Sequence, residues 1–166
     1  AIRDRGLADL DLWIEHFERE AVRRGATVLF AETAEQARDL VLAICRRHRI
    51  EKAVKSKSML SEEAGLNEAF AGAGVMPVET DLGEYIIQLA GEAPSHIIAP
   101  AVHKSRDEVS DLFAQHHGKP RKTDIPQMTR EAREALREHF LTGDLGVSGG
   151  NFLIAETGSG IIVTNE

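Results

Sequence analysis

Only one cysteine, Cys45, occurs in the 166 residues of the chain. A single thiol cannot form an internal disulfide, hold an iron–sulfur cluster or build a structural zinc site. Cys45 follows Leu40, Val41 and Ile44 on an apolar helical stripe, so it reads as a buried small hydrophobe rather than a nucleophile. Long hydrophobic runs are also missing, and nothing approaches the roughly 18 apolar residues of a membrane span. The first residues are charged from Arg3 onward, unlike a signal peptide, so the cytoplasm is the expected compartment and no membrane partner is expected. An excess of basic charge is absent too. Lys and Arg number 20 against 27 Asp and Glu, for a net charge of −7. Surfaces that neutralise nucleic-acid phosphates are usually basic. The Arg46, Arg47 and Arg49 cluster falls where a helix should end, a place that favours cations. Nucleic acid is therefore not an expected partner. No His-x-x-x-His pair, P-loop or dinucleotide fingerprint occurs, so no metal or nucleotide cofactor is assigned to the chain.

What is present is an alternation of helical and strand-like segments of single-domain length. Leu10, Trp13, Ile14, Phe17 and Ala21 predict an amphipathic helix ending near Gly25. Thr27 to Ala31 predicts a strand, and the Thr33–Gln36 capping box opens a helix over Ala37, Leu40, Val41 and Ile44. Lys52 to Lys55 predicts a strand running into Lys-Ser-Lys-Ser, followed by a helix capped by Ser61. Val75 to Val78 predicts a strand that Pro77 suits to an edge. Capping boxes at Asp81–Glu84 and Ser105–Glu108 open two further helices, with a strand predicted at His96 to Ala99 between them. Met128 to Phe140 predicts another helix. Phe152 to Ala155 and Ile161 to Thr164, separated by a glycine turn, predict a β-hairpin. The expected fold is a three-layer α/β domain, with a mostly parallel sheet, helices on both faces and a C-terminal β-hairpin. Ligands in such folds bind outside the carboxyl ends of the strands. The chain begins without methionine and ends straight after a strand-like run, so residues 1–166 are expected to be one domain truncated at both ends.

Five groups of residues have the chemistry of a site. Lys55, Ser56, Lys57 and Ser58 follow a strand and offer two ammonium groups and two hydroxyls to a small anionic ligand. Glu79 lies in an acidic turn where Asp81 and Glu84 have capping roles; it is left to pair with Lys55 or Lys57 or to hold a ligand hydroxyl. His103, in the loop after the segment that ends at Pro100, is a candidate acid–base group. The glycines of Gly-Val-Ser-Gly-Gly-Asn at 146–151 let the backbone near Gly149 and Asn151 approach a ligand. Glu156, ahead of Thr157 and Gly158, is a candidate nucleophile or base, weighed against an ordinary hairpin turn.

Several of these segments fall together in one order. They are Lys-Ser-Lys-Ser-Met at 55–59, Glu-Glu-Ala-Gly-Leu-Asn-Glu at 62–68, and Glu-Thr-Asp-Leu-Gly-Glu-Tyr-Ile-Ile-Gln-Leu at 79–89. Pro-Ser-His-Ile-Ile-Ala-Pro-Ala-Val-His-Lys at 94–104, Asn151-Phe152, Ala-Glu-Thr-Gly at 155–158 and Val-Thr-Asn-Glu at 163–166 complete the set. In this the chain resembles the LUD domain of the lactate utilization protein B family. The resemblance implies a fold like that of sugar-phosphate isomerases and CoA transferases, and a part in cytosolic oxidation of L-lactate to pyruvate. It implies 4Fe-4S clusters in a region beyond Glu166, and other lactate-utilization subunits as partners. Gly150 stands where relatives often carry another residue, sometimes cysteine, so a thiol role there is excluded. On this reading the chain is part of an oxidoreductase and inactive alone. The alternatives are a stand-alone CoA-transferase-like or isomerase-like enzyme using Glu156, and a non-catalytic binding scaffold. An open sheet edge is expected to support a homodimer.

Overall fold

A computed structural model describes residues 2–95 and 99–163. The chain opens with helices α1 (Ile2–Ala8) and α2 (Leu10–Arg23). The apolar stripe of α2 faces outward, with Leu10, Trp13 and Ile14 exposed, and only Ala21 is buried. The expected strand at Thr27 to Ala31 does not form; this stretch is irregular and Leu29 and Phe30 are exposed. The run has β-favouring side chains but, among the described residues, no neighbouring strand to complete its backbone hydrogen bonds, and a strand is stable only as part of a ladder.

Helix α3 (Ala34–His48) starts as its sequence dictates, with Thr33 Oγ1 accepting from Gln36 N at 3.2 Å. The reciprocal bond goes one residue upstream, where Gln36 Oε1 accepts from Glu32 N at 2.8 Å. Strand β1 (Lys52–Lys55) follows, then α4 (Met59–Glu63) and α5 (Leu66–Gly72). Ser58, not Ser61, caps α4, and Gly65 in the left-handed region breaks the expected single helix in two. Strand β2 (Met76–Glu79) leads to α6 (Leu82–Ala90), capped by Asp81 through Glu84 N. The expected strand at His96 to Ala99 lies, except for an irregular Ala99, outside the described residues. Helix α7 (Arg106–His117) carries the complete Ser105–Glu108 capping box. Helix α8 (Ile125–Thr142) begins three residues before the expected Met128, because Asp124 caps it and Pro126 is tolerated in a first turn.

The sheet contains β3 (Leu145–Val147), which was not expected as a strand, and its order is β2-β1-β3 with both pairings parallel. Among the described strands β2 lies at an edge, so the missing N–H of Pro77 leaves none of their ladder bonds unmade. Asp144 fastens β3 to β1: its carboxylate accepts from the backbone N–H groups of Glu51 and Lys52, both at 3.0 Å. Those two bonds hold its pKa below the usual carboxylate range. The C-terminal hairpin forms as an antiparallel pair, β4 (Phe152–Ile154) with β5 (Ser159–Ile161).

Strand alternation sends the two faces of the sheet into separate cores. Val54 and Val78 pack with Tyr85, Phe113, Met128 and Leu136 from α6, α7 and α8. Ala53, Val75 and Leu145 pack with Cys45, Leu66 and Phe70 from α3 and α5. The result is the expected three-layer α/β arrangement. Gly143 allows the end of α8 to cross β1 closely, since a Cβ there would lie 3.0 Å from Val54 Cγ1 and 3.1 Å from the His139 carbonyl. Among the described residues no helix is long and apolar enough to cross a membrane.

Candidate functional site

The Lys-Ser-Lys-Ser run leaves the carboxyl end of β1, beside the carboxyl end of β3. Ser56 N donates to Val147 O at 2.9 Å, which extends the β1–β3 ladder by one step. Ser56 Oγ then meets Ser148 Oγ at 3.0 Å. Across the other pairing, Thr80 N and Thr80 Oγ1 both donate to Lys55 O, at 2.9 and 3.0 Å. The strand ends are thereby closed into a firm rim. Ser58 Oγ accepts from Ser61 N at 3.3 Å and starts α4.

A cleft of about 410 Å³ opens above this rim. Ser56, Lys57, Ser58 and Met59 form one wall, Ser148 to Asn151 another, and Ile162 and Val163 an apolar side. Gly149 lies against Ser58, with its Cβ position 3.5 Å from Ser58 Oγ. Asn151 Oδ1 accepts from Val163 N at 2.8 Å, and Asn151 N donates to Ile161 O at 2.9 Å, so this residue pins the hairpin to the cleft. Lys57 is exposed and has no ion-pair partner among the described residues. The cleft thus combines one free ammonium with three hydroxyls, the donor set that a carboxylate or phosphate requires.

The other lysine of the run is used differently. Lys55 is 1% exposed, and its Nζ lies 2.9 Å from Glu79 Oε1 and 3.3 Å from Ser61 Oγ. Asn67 Nδ2 donates to the same Glu79 oxygen at 2.7 Å. Gln88 Oε1 accepts from Glu79 N at 3.1 Å and fixes the backbone. Of the two lysines open to Glu79, the structure pairs Lys55. Its charge is already neutralised inside the domain, and it does not line the cleft.

The remaining candidates lie elsewhere. His103 Nε2 is 2.9 Å from Glu92 Oε2, and Lys104 Nζ bonds the other oxygen of Glu92. Lys104 first and His103 second hold the Glu92 carboxyl below its usual pKa. This cluster joins the end of α6 to the loop before α7 and contributes nothing to the cleft lining. Glu156 is exposed in the β4–β5 turn and is absent from the cleft wall. Thr157 and Gly158 make that turn, donating from their N–H groups to Ile154 O at 3.3 and 2.9 Å. Gly158 has φ +63°, and a Cβ on it would lie 2.3 Å from Ala21 N. Its role is to seat the turn on α2.

Sequence reasoning missed Ser148, Asn67 and Ser61. Ser148 became visible only when Leu145–Val147 proved to be a strand, whose carboxyl end presents the next residue to the cleft. Asn67 and Ser61 lie on the short helices α5 and α4, and nothing local marks them as partners of a buried ion pair. No group of three or more His, Cys, Asp or Glu positioned for a metal occurs among the described residues.

Fold and cleft together define a three-layer α/β domain with an anion-suited site at the carboxyl ends of parallel strands. The chain belongs to the LUD domain family, whose model matches residues 14–166. It is 44% identical to lactate utilization protein B of Oceanobacillus iheyensis over 166 residues, which are 99% of this chain and 34% of that protein. It is 43% identical to lactate utilization protein B of Geobacillus thermodenitrificans, over 99% of this chain and 35% of that protein. The chain therefore spans about a third of the length of these curated relatives. No solved structure gives a significant match.

Proposed function

We propose that this LUD domain is the ligand-binding part of a lactate utilization protein, and that the cleft beside Lys57 holds the carboxylate of a small hydroxy or keto acid. The observation that carries this reading is the unpaired Lys57 ammonium in the same cleft as Ser56, Ser58 and Ser148. The names of the relatives support the setting. In the finer form of the proposal the ligand is L-lactate or pyruvate, and the whole protein takes part in cytosolic oxidation of one to the other. That oxidation removes two electrons and two protons from the hydroxyl-bearing carbon and its oxygen, and needs an electron acceptor. Iron–sulfur clusters are the acceptor class proposed, but such a cluster does not fit this chain. Its one cysteine is 3% exposed, and burial pushes the thiol pKa up. The clusters and the redox step are therefore assigned to sequence outside these residues. Within them, Lys57 binds the anion and the hydroxyls orient it.

The experiment is titration of the protein with L-lactate and with pyruvate, followed by calorimetry. Saturable binding that Lys57→Ala abolishes supports the reading. Lactate oxidation by these 166 residues alone would overturn the assignment of redox chemistry to another region. Full-length protein carrying Lys57→Ala that still supported growth on lactate would favour a scaffold. The partners proposed are other lactate-utilization subunits and a second copy of this chain through the exposed β4–β5 ribbon. No structural observation favours Glu156 as a nucleophile.

A further inference from the structure

Helix α8 borders a groove of about 550 Å³ beside the β2–α6 turn. Leu82, Leu136, Phe140 and Leu141 make it apolar, and Phe140 and Leu141 are exposed. Arg130, Arg133 and Arg137 line it as well. They recur at helical spacing along one side of α8, over about 10 Å. None of the three guanidinium groups has a hydrogen bond or ion pair among the described residues. Acids on the same helix that could neutralise them are engaged elsewhere. Glu131 is turned inward to Lys122 and His117, at 2.6 and 2.9 Å, and Glu134 pairs with Lys119 at 3.1 Å.

Helix α2 offers the opposite charge. Leu10, Trp13 and Ile14 of its apolar stripe are exposed, and the hairpin turn meets the helix only at its far end, by Glu20 and Ala21. Trp13 is the one tryptophan of the chain and is 48% exposed. Asp11 and Glu18 lie seven residues apart along one edge of the stripe. Neither carboxylate has a hydrogen bond or ion pair among the described residues, whereas Glu20 on the other edge is held by Arg23 at 2.7 Å. Arg130 and Arg137 are also seven residues apart, so the two charge rows have the same length, about 10 Å. We propose that the α2 stripe of a second copy of this chain docks in the α8 groove, with Trp13 as its apolar anchor and Asp11 and Glu18 facing the three arginines. An aromatic side chain seated in a pocket carries much of the energy of such a contact, and complementary charge sets its register. The occupant is a second copy because the chain itself carries the helix that matches the groove in polarity and in charge spacing. Neither surface includes a residue of the anion cleft or of the β4–β5 ribbon. The contact is therefore independent of both.

The test uses Trp13 as its probe. Its fluorescence emission should move to longer wavelength as the protein is diluted, because the ring returns to water, and sedimentation should show the mass falling over the same range. Leu153→Lys, which acts on the ribbon, should leave a concentration-dependent Trp13 shift in place. In that background two charge-reversed proteins are compared, one with Arg133→Glu and Arg137→Glu, the other with Asp11→Lys and Glu18→Lys. Each alone should associate about 10-fold more weakly or worse, since like charges then face each other. Circular dichroism checks that both are folded. An equal mixture of the two should recover association, because every contact between unlike copies again joins opposite charges. Emission independent of concentration, reversed proteins that associate as the parent does, or a mixture that stays monomeric would each overturn the proposal.

Discussion

Lys55 and Glu79 are direct register partners on adjacent parallel strands, and their side chains form a 2.9 Å ion pair at 1% and 4% side-chain exposure. The period of two explains why. Ala53 and Lys55 share the face of β1 that packs on α3 and α5, so Lys55 enters a core and needs a counter-charge there. Removing one partner of such a pair strands the other charge, which costs about 3–5 kcal/mol. Lys55→Ala and Glu79→Ala are each expected to lower stability by about that amount, while Lys57→Ala at the exposed position stays within about 0.5 kcal/mol. Lys55→Met combined with Glu79→Leu should recover much of the loss. Urea unfolding of the four variants checks this, and equal effects of Lys55→Ala and Lys57→Ala would refute it.

The cleft makes a contrasting prediction for Lys57. A hydrogen bond between charged groups contributes about 1.5–3 kcal/mol, so Lys57→Ala should weaken carboxylate binding about 10- to 100-fold. Ser148→Ala should weaken it less, because Ser56 remains to donate. Raising the salt concentration should weaken binding to the native cleft and have little effect on the residual binding of the Lys57 variant. Calorimetry at two ionic strengths measures both. An unchanged affinity in the Lys57 variant would remove the cleft from consideration.

Much of the architecture was legible in the sequence because its signals were local. Lys52–Lys55 was bounded correctly as a strand running into the Lys-Ser-Lys-Ser loop, and Ser105 with Glu108 located the start of α7. Pro77 marked an edge strand, and among the described strands β2 does lie at the edge of the order β2-β1-β3. What escaped depended on distant partners. Leu145–Val147 is three residues long with a central glycine, and only the β1 ladder makes it a strand. Thr27–Ala31 has the stronger strand signal but no strand beside it among the described residues. The same holds at the site. Four alternating residues of chemical interest, Lys55 to Ser58, were visible as a group. Their division into one buried lysine and one free lysine required the register with Glu79.

Two glycines separate a steric requirement from a tolerance. Gly158 holds φ +63°, and a side chain there would run into the backbone of Glu20 and Ala21. Gly158→Ala should cost at least about 1–3 kcal/mol from the backbone strain alone. Gly149 has its nearest neighbour at 3.5 Å, an ordinary contact, so Gly149→Ala should keep the fold and only narrow the cleft beside Ser58. Thermal unfolding and carboxylate binding should therefore respond oppositely in the two variants. A large loss of stability in Gly149→Ala would show that the loop packs more tightly than these distances allow.

Acid should act through His139. Burial first, and the nearby Lys52 charge second, hold its pKa below the usual histidine value of 6.5. Its Nδ1 is buried without a hydrogen-bond partner. The folded state thus binds the proton less readily than the unfolded state. The stability contribution is complete above the unfolded pKa, falls as pH drops through the lowered folded pKa, and does not fall further below it. Native protein should lose thermal stability as pH falls below the usual histidine value of 6.5, and His139→Gln should lose less over the same fall. Identical pH slopes for the two proteins would assign the acid sensitivity to other groups.

The β4–β5 ribbon predicts the behaviour of the chain in solution. Phe152 and Leu153 point to opposite faces of a two-stranded ribbon, yet both are exposed, at 62% and 64%. Ile162 and Val163 extend the apolar surface toward the cleft. A lone hairpin is marginal in water, and its unpaired edges are templates for another strand. Contact with a second copy would cover the apolar side chains and complete the edge hydrogen bonds together. Sedimentation should show a mass that rises with concentration, and Leu153→Lys should shift the protein toward monomer by placing a charge on the ribbon. Since Leu153 lies outside the cleft wall, that variant should still bind carboxylate. A monomeric mass at every concentration would refute pairing through the ribbon and leave the anion site unaffected.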